Sequence, residues 1–499
     1  QLHKRVADKL KADSEVLNPD LETLEKCFDN VEAVVTMRYH AGLMGALKGA
    51  GVVCLPFSKK LDSLIPVLGS AASKATTNNL VSRVEKVISG RSELKEHIET
   101  LRTDSHKNVE VTALCDVDSS LLNQAHKLYP KAKTFKDYRV LLNNLESEID
   151  AVVISTPDHT HGPASIMAMK KGKAIYCQKP LTNNVVDARE MSNISSQKKL
   201  VTQMGIQVHS FYDYKLAKLL IQENIVGKVH TVRAWCPKNW GFDGKLSKKE
   251  DNIPENLDWN LWLGTSPYKN YLENRYHQYN WRKMVGFGCG TLGDMGVHIF
   301  DTPYNALALD VPESVINKCR KPNEIGFPEE NKVSYVFPGT KFTTEKLKWI
   351  WEDGKSAPSH HKDLKLPNGD KLPQQGAMFV GEKGRLLLPH FMEIPKIIID
   401  NKYEMVNPSK FVKKGLLETN PARNYEKESL LHYHEFIDAC LNKKTCSAPF
   451  SYSSKLTETI LLGVIAGRFP GEKLNWDKNE GQFKEKKANL FLKLNNRLF

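Results

Sequence analysis

No Cys-x-x-Cys pair occurs among the nine cysteines, which stand singly from Cys27 to Cys446. An odd, scattered set argues against both a zinc site and a disulfide framework, and it points to a reducing compartment. No apolar run is long enough to span a bilayer. No internal repeat of useful period is present, so nothing suggests a solenoid or propeller. Charge of one sign is not concentrated either. The 71 Lys and Arg are spread along the chain among 58 Asp and Glu, so the net charge of +13 reads as a solvated basic surface rather than a nucleic-acid footprint. Neither nucleic acid nor membrane is an expected partner. A cytoplasmic location is accordingly the expectation, and because the first residue is Gln1 rather than Met, export stays open.

A further absence bears on chemistry. The one GxGxxG match, Gly288 to Gly293, follows Tyr279-Asn280-Trp281-Arg282-Lys283, which is not a strand pattern, and no acidic residue ends a following strand at the required distance. It is therefore rejected as a nucleotide-binding loop.

What is present is α/β material. At 499 residues, 40% apolar and 26% charged, the chain is long enough for two or three domains. Val31 to Thr36 and Gly51 to Phe57 read as short strands, and the small polar stretch Ser70 to Asn79 as a linker. Leu80, Val81, Val84, Val87 and Ile88 share one helical face; Gly90 suits a C-cap, and Ser92 an N-cap before Leu94, Ile98 and Leu101. From Val109 strands and helices alternate. Val109 to Cys115, Ala151 to Ser155 and Ala174 to Cys177 read as strands, and Ser120 to Leu128, Ala164 to Lys171 and Val185 to Ser196 as helices. Such alternation predicts βαβ units around a parallel sheet. Beyond Thr231 the spacing lengthens and Trp235, Trp240, Trp259, Trp262 and Trp281 appear, which suits a larger, partly antiparallel sheet. The expected partition is 1–105, 106–200, 201–475 and a basic tail, 476–499, read as an amphipathic terminal helix or an unstructured end.

Three strand ends carry chemistry. Asp116 ends the first of these strands, where a dinucleotide fold presents a carboxylate to the ribose, although a turn-forming Asp reads equally from Asp116-Val117-Asp118. The second strand runs into Thr156-Pro157-Asp158-His159-Thr160-His161, and the third into Gln178-Lys179-Pro180. The carboxyl ends of parallel strands are where open α/β sheets bind ligands, and Lys179 there can hold an oxyanion or move a proton. Asp294 and His298, four apart, would share a helix face, so the carboxylate could orient the imidazole as a general base. The blander readings are a surface lysine and a helix-start aspartate.

Taken together, ALCDVD (113–118), ISTPDHTH (154–161), YCQKPLT (176–182), TQMG (202–205), LDWNLWLG (257–264), NWR (280–282), GTLGDMGVH (290–298), SAPF (447–450) and LTETILLG (456–463) resemble the Gfo/Idh/MocA oxidoreductases. The resemblance covers residues from about 109 to 475. It implies NAD or NADP as cofactor and a small carbohydrate as substrate, and it leaves room for a homo-oligomer. By position it implies that Asp116 meets the adenosine ribose, that Thr156, Pro157, His161 and Gln178 line the cofactor, and that Lys179, Asp294 and His298 are catalytic. Trp281 and Arg282 would contact the sugar. The activity implied is hydride transfer between a sugar or polyol carbon and nicotinamide; an NAD-assisted glycosidase and a non-catalytic fusion of two truncated enzymes are the alternatives. Two departures stand out. Gln178 replaces the family's usual Glu before Lys179, and the family's first strand with its glycine-rich turn has no counterpart before Val109. The expected fold is thus an incomplete Rossmann-type parallel sheet plus a larger α+β substrate domain with a mostly antiparallel sheet, preceded by a small α/β fragment. That fragment, with Met37-Arg38-Tyr39-His40 after its first strand, resembles the C-terminal part of polysaccharide pyruvyl transferases, which implies active-site roles for Arg38 and His40.

Overall fold

The structure, a computed structural model, describes residues 33–36, 51–54, 72–74, 106 and 108–499, apart from 247, 248, 278, 495, 496 and 498. The chain forms two compact units, residues 1–109 and 110–499. In the first, β1 (Ala33–Thr36), β2 (Gly51–Cys54) and β3 (Ala72–Lys74) make a parallel sheet in that order. The third strand corrects the linker expected at Ser70 to Asn79: pairing with β2 outweighs the weak strand propensity of small residues. Arg38, His40 and the two helices expected from Leu80 to Leu101 lie outside the described residues.

The second unit begins with strand–helix alternation. β4 (Ala113–Cys115) pairs in parallel with β5 (Lys133–Phe135), while β6 (Ala151–Ile154), β7 (Ala174–Gln178) and β8 (Thr202–Gly205) form a separate parallel sheet. Helices α1 (Ser119–Leu128), α2 (Tyr138–Asn144), α3 (Asp158–Lys170) and α4 (Val185–Lys198) connect them. Local signals explain the helix starts. The carboxylates of Asp118 and Asp137 and the amide oxygen of Asn184 accept first-turn N–H groups of α1, α2 and α4, satisfying donors that the helices cannot. Helix α3 starts at Asp158 rather than Ala164. Pro163 reads as a helix beginning, but here the helix accommodates it internally and Pro157 takes the cap position.

No described strand lies between β4 and β6, and the two sheets share no hydrogen-bonded ladder. In a 3-2-1-4-5-6 dinucleotide sheet that interval belongs to strand 1, with the helix that follows it covering one face. The consequence is visible in exposure. Val153 of β6 is 60% exposed and Val109, just before β4, is 48% exposed, values foreign to a central parallel strand. Helices α2 and α3 pack together across the interval.

After helix α5 (Tyr212–Gln222) comes a ten-stranded sheet. Its strands are β9 (Val229–Cys236), β10 (Ser314–Lys318), β11 (Asn331–Pro338), β12 (Thr343–Asp353), β13 (Gly376–Gly381), β14 (Arg385–Pro389), β15 (Lys396–Ile399), β16 (Lys402–Glu404), β17 (Lys473–Asp477) and β18 (Gln482–Phe483). Their order is β16-β15-β14-β13-β9-β12-β11-β10-β17-β18, and every pair is antiparallel except β9 with β12. Alternation along β12 sends Leu347, Trp349 and Trp351 to one face, where all three are fully buried. Helices α6 (Val297–Ala306) and α8 (Phe450–Ala466) pack against this sheet, with the Phe300 ring 4.4 Å from Trp349 and 5.6 Å from Trp351. Helix α7 (Tyr425–Cys440) lies on the β8 side. Helix α8 also packs on α4, so one buried helix ties the two sheets together.

The expected basic tail is built into this unit. Strands β17 and β18 and a 3₁₀ turn at Lys486–Phe491 bury Ala488 and Leu492, and the Leu492 carbonyl accepts the first N–H groups of α4 from Val185 (3.1 Å) and Val186 (3.2 Å). Its apolar residues give it a surface to bury, so neither a long terminal helix nor a free end results. No helix among the described residues is long and apolar enough to cross a membrane.

Candidate functional site

Lys179 follows the end of β7, and its ammonium crosses to the π-turn Leu292–Gly296, donating to the Asp294 carboxylate (2.9 Å) and carbonyl (3.0 Å). Arg282, in the 3₁₀ turn Asn280–Lys283, donates from Nε to the same carboxylate oxygen (3.1 Å). Burial alone would raise the Asp294 carboxyl, but Lys179 and then Arg282 outweigh it, holding the acid well below the usual range. A carboxylate shared between two cations is a fixed anion. It sets the position of Lys179 instead of exchanging protons.

The π-turn changes the expected helix around His298. Asp294 lies in the wide turn and His298 is the second residue of α6, so the two are not on one regular helical face. The Asp294 carboxylate nevertheless acts on the His298 ring electrostatically, favouring its protonation. Burial, then the Lys179 charge, holds the imidazole well below its ordinary range, so the ring is neutral near pH 7, and its buried Nδ1 has no hydrogen-bond partner. A neutral, unpartnered ring nitrogen beside a fixed cation can take a proton from a hydroxyl whose oxygen the cation polarises.

The remaining expected residues divide. Thr156 is exposed at the end of β6, and Pro157 caps α3. Gln178 closes β7 and lies over Gly205, where an added Cβ would stand 2.8 Å from its Cδ and push the amide aside. Asp116 accepts the Asp118 N–H (2.8 Å), so it does make the tight turn, and burial raises its carboxyl. His161 is 1% exposed, and its two ring nitrogens lie 2.8 Å from the carbonyl oxygens of Pro180 and Thr156. A neutral imidazole donates to one of them at a time, and burial holds the ring down at about 4. It fastens the β6 loop to the β7 loop and has no ring nitrogen left for a ligand. Trp281 is nearly buried, with the Arg282 guanidinium 4.2 Å over its ring. The glycine run 288–293 serves packing: a Cβ on Gly288 would stand 2.6 Å from the Arg282 backbone.

Four further residues enter the site. Asp158, 5% exposed, receives the Cys289 thiol hydrogen bond, and burial pushes it up to about 7 against the pull of Lys179 and Arg282. His390, just after β14, is pushed down to about 3 by burial and by Lys238, and its Nδ1 meets the Tyr214 hydroxyl of α5. Lys238, beyond β9, acts on both His298 and His390. Asp158 is legible in the TPDHTH loop. The other three carry no motif and meet only through the ten-stranded sheet.

Comparison with known proteins bears on the two halves of this unit. Residues 89–206 match the family model described as "Oxidoreductase family, NAD-binding Rossmann fold", and residues 204–320 match its companion, "Oxidoreductase family, C-terminal alpha/beta domain". Residues 89–320 are thus similar to the Gfo/Idh/MocA oxidoreductases. Among curated relatives of this family, inositol 2-dehydrogenase/D-chiro-inositol 3-dehydrogenase of Lactiplantibacillus plantarum is 32% identical over 141 residues, 27% of this chain and 38% of that protein. Levoglucosan dehydrogenase of Pseudarthrobacter phenanthrenivorans is 23% identical over 188 residues, 38% of this chain and 40% of that protein. The chain thus spans about two fifths of the length of the curated relatives it matches. A solved levoglucosan dehydrogenase in complex with NADH and L-sorbose superposes with a TM-score of 0.51 at 16% identity, over 73% of this chain and 89% of that one, a likeness of fold.

Proposed function

We propose that this chain is an NAD(P)-dependent oxidoreductase acting on a sugar or polyol. The observation that carries the reading is the convergence of Lys179, Asp294 and His298: a cation fixed by a carboxylate beside a neutral imidazole whose buried nitrogen has no partner. The relatives named inositol and levoglucosan dehydrogenase support the substrate class. The nicotinamide, when bound, supplies the hydride acceptor or donor. Lys179 polarises the reacting oxygen and His298 holds its proton at Nδ1, while Trp281, stacked under the guanidinium, positions Arg282 toward the sugar. Asp116, Thr156, Pro157 and Gln178 suit the ribose and nicotinamide ends of the cofactor. The pyrophosphate end fits less well, since no glycine-rich turn precedes β4 among the described residues. The interrupted sheet therefore favours a second reading, a protein that keeps the sugar cleft without catalysis.

NADH fluorescence titration separates the two. Saturable binding weakened by Asp116→Ala, with polyol-dependent NAD(P) reduction that falls roughly 10²- to 10⁴-fold in Lys179→Ala and His298→Ala, is expected of the oxidoreductase. Absence of NADH binding would leave the non-catalytic reading.

A further inference from the structure

We propose that the cleft beside Lys179 and His298 selects a sugar carrying an anionic group, carboxylate or phosphate monoester, with Lys238 as the residue that recognises the charge. The proposal rests on the reading of this cleft as a sugar site. Lys238 lies two residues beyond β9 and is exposed, and its ammonium approaches the Met295 sulfur at 3.3 Å. No carboxylate among the described residues pairs with it, whereas Lys133, Lys170, Lys332 and Lys455 each form an ion pair. That contact sets the ammonium against the turn that carries Asp294, the partner of Lys179, and its charge is felt at both neutral histidines, His298 and His390.

The charges around that space do not balance. Lys179, Arg282 and Lys238 are opposed by Asp294, which Lys179 and Arg282 already share. Asp158, the other carboxyl at hand, is pushed up to about 7 by burial, so near neutral pH it offsets only part of the excess. The uncharged groups are donors as well. The Trp240 indole N–H is buried without a partner, its backbone N–H is held by Thr291 Oγ1 at 2.8 Å, and Arg282 lies 5.7 Å over its ring. A neutral sugar would leave Lys238 facing water alone. An anionic one gives the ammonium a charge-assisted hydrogen bond and leaves the ring hydroxyls to Trp240 and His298.

The test is titration calorimetry on the full chain without nicotinamide, using D-glucuronate, D-glucose 6-phosphate and D-glucose as probes. One of the two anions is expected to bind at least about 10-fold more tightly than glucose. In Lys238→Gln that preference should shrink to within roughly 3-fold. The relative strength of the two anions tells carboxylate from phosphate recognition. Equal affinity for all three probes, no binding of any, or a preference that survives Lys238→Gln would overturn the proposal. Because the readout needs no cofactor, anion preference without turnover would remove the oxidoreductase reading alone, and turnover of neutral polyols without anion preference would remove this inference alone.

Discussion

Strands β6 and β13 are built from similar residues, AVVI and AMFV at their centres, yet Val153 of β6 is 60% exposed while Phe379 of β13 is wholly buried. Strand β13 has β9 on one side and β14 on the other, whereas among the described residues β6 pairs with β7 alone. An apolar strand is buried by its neighbours and by the helix laid over it, and its own sequence supplies only the opportunity. The site sits where the two kinds of sheet meet: Lys179 comes from the interrupted sheet and Asp294 from the loop entering the intact half.

The largest effect that sharpens this contrast is in the intact core. Phe300→Ala should cost about 3–5 kcal/mol, and Val153→Ala no more than about 0.5 kcal/mol, both read from denaturant unfolding. A comparable cost at both positions would mean that β6 is covered after all, and the contrast would fail.

Asp158 belongs to the interrupted half but is buried by groups of the other, Cys289 and Arg282 among them. Its folded value of about 7 exceeds the ordinary 3.8, so the folded protein holds a proton that the unfolded chain releases. The associated stability is full below about 4 and is lost as pH rises to 7. Asp158→Asn has no such loss and should gain on the wild type by on the order of 2 kcal/mol between pH 5 and pH 8. A pH-independent difference would show that the halves do not close over this carboxyl.

A smaller effect belongs to Asp118, which caps α1 and accepts the Asn256 amide at 2.7 Å from the segment entering the Trp259–Leu263 helix. Asp118→Ala should cost about 1–2 kcal/mol in unfolding. A loss under about 0.3 kcal/mol would show that the cap and its cross-link carry no stability.

How much of this could be read in the sequence follows the range of the interactions. The α/β alternation, the N-caps and the strand-end residues Lys179 and Asp116 are local signals, and so is the lack of a first strand. The partnership of Lys179 with Asp294 spans most of a domain, and only the resemblance joined them. Lys238, His390 and Tyr214 come from three elements whose register is set by the ten-stranded sheet, so nothing near them in sequence announces the meeting. His161 was legible as a motif residue but not as a fastener, because the carbonyls it binds carry no side-chain signature. The helix expected from Ala164 begins six residues earlier, at Asp158, because the helix keeps Pro163 inside it.

One consequence lies at the far end of the chain. After β17 and β18 leave the large sheet, Leu492 binds the start of α4, Arg497 donates to the Gly264 carbonyl at 2.8 Å, and Arg139 of α2 stacks over the Phe499 ring at 3.8 Å. The last residues act as a clasp drawn between two sheets that share no ladder among the described residues, a task that ladder hydrogen bonds would otherwise perform. Trimming residues 492–499 would therefore loosen amides around β4 and β5, far along the sequence, before it disturbed the large sheet from which the clasp departs.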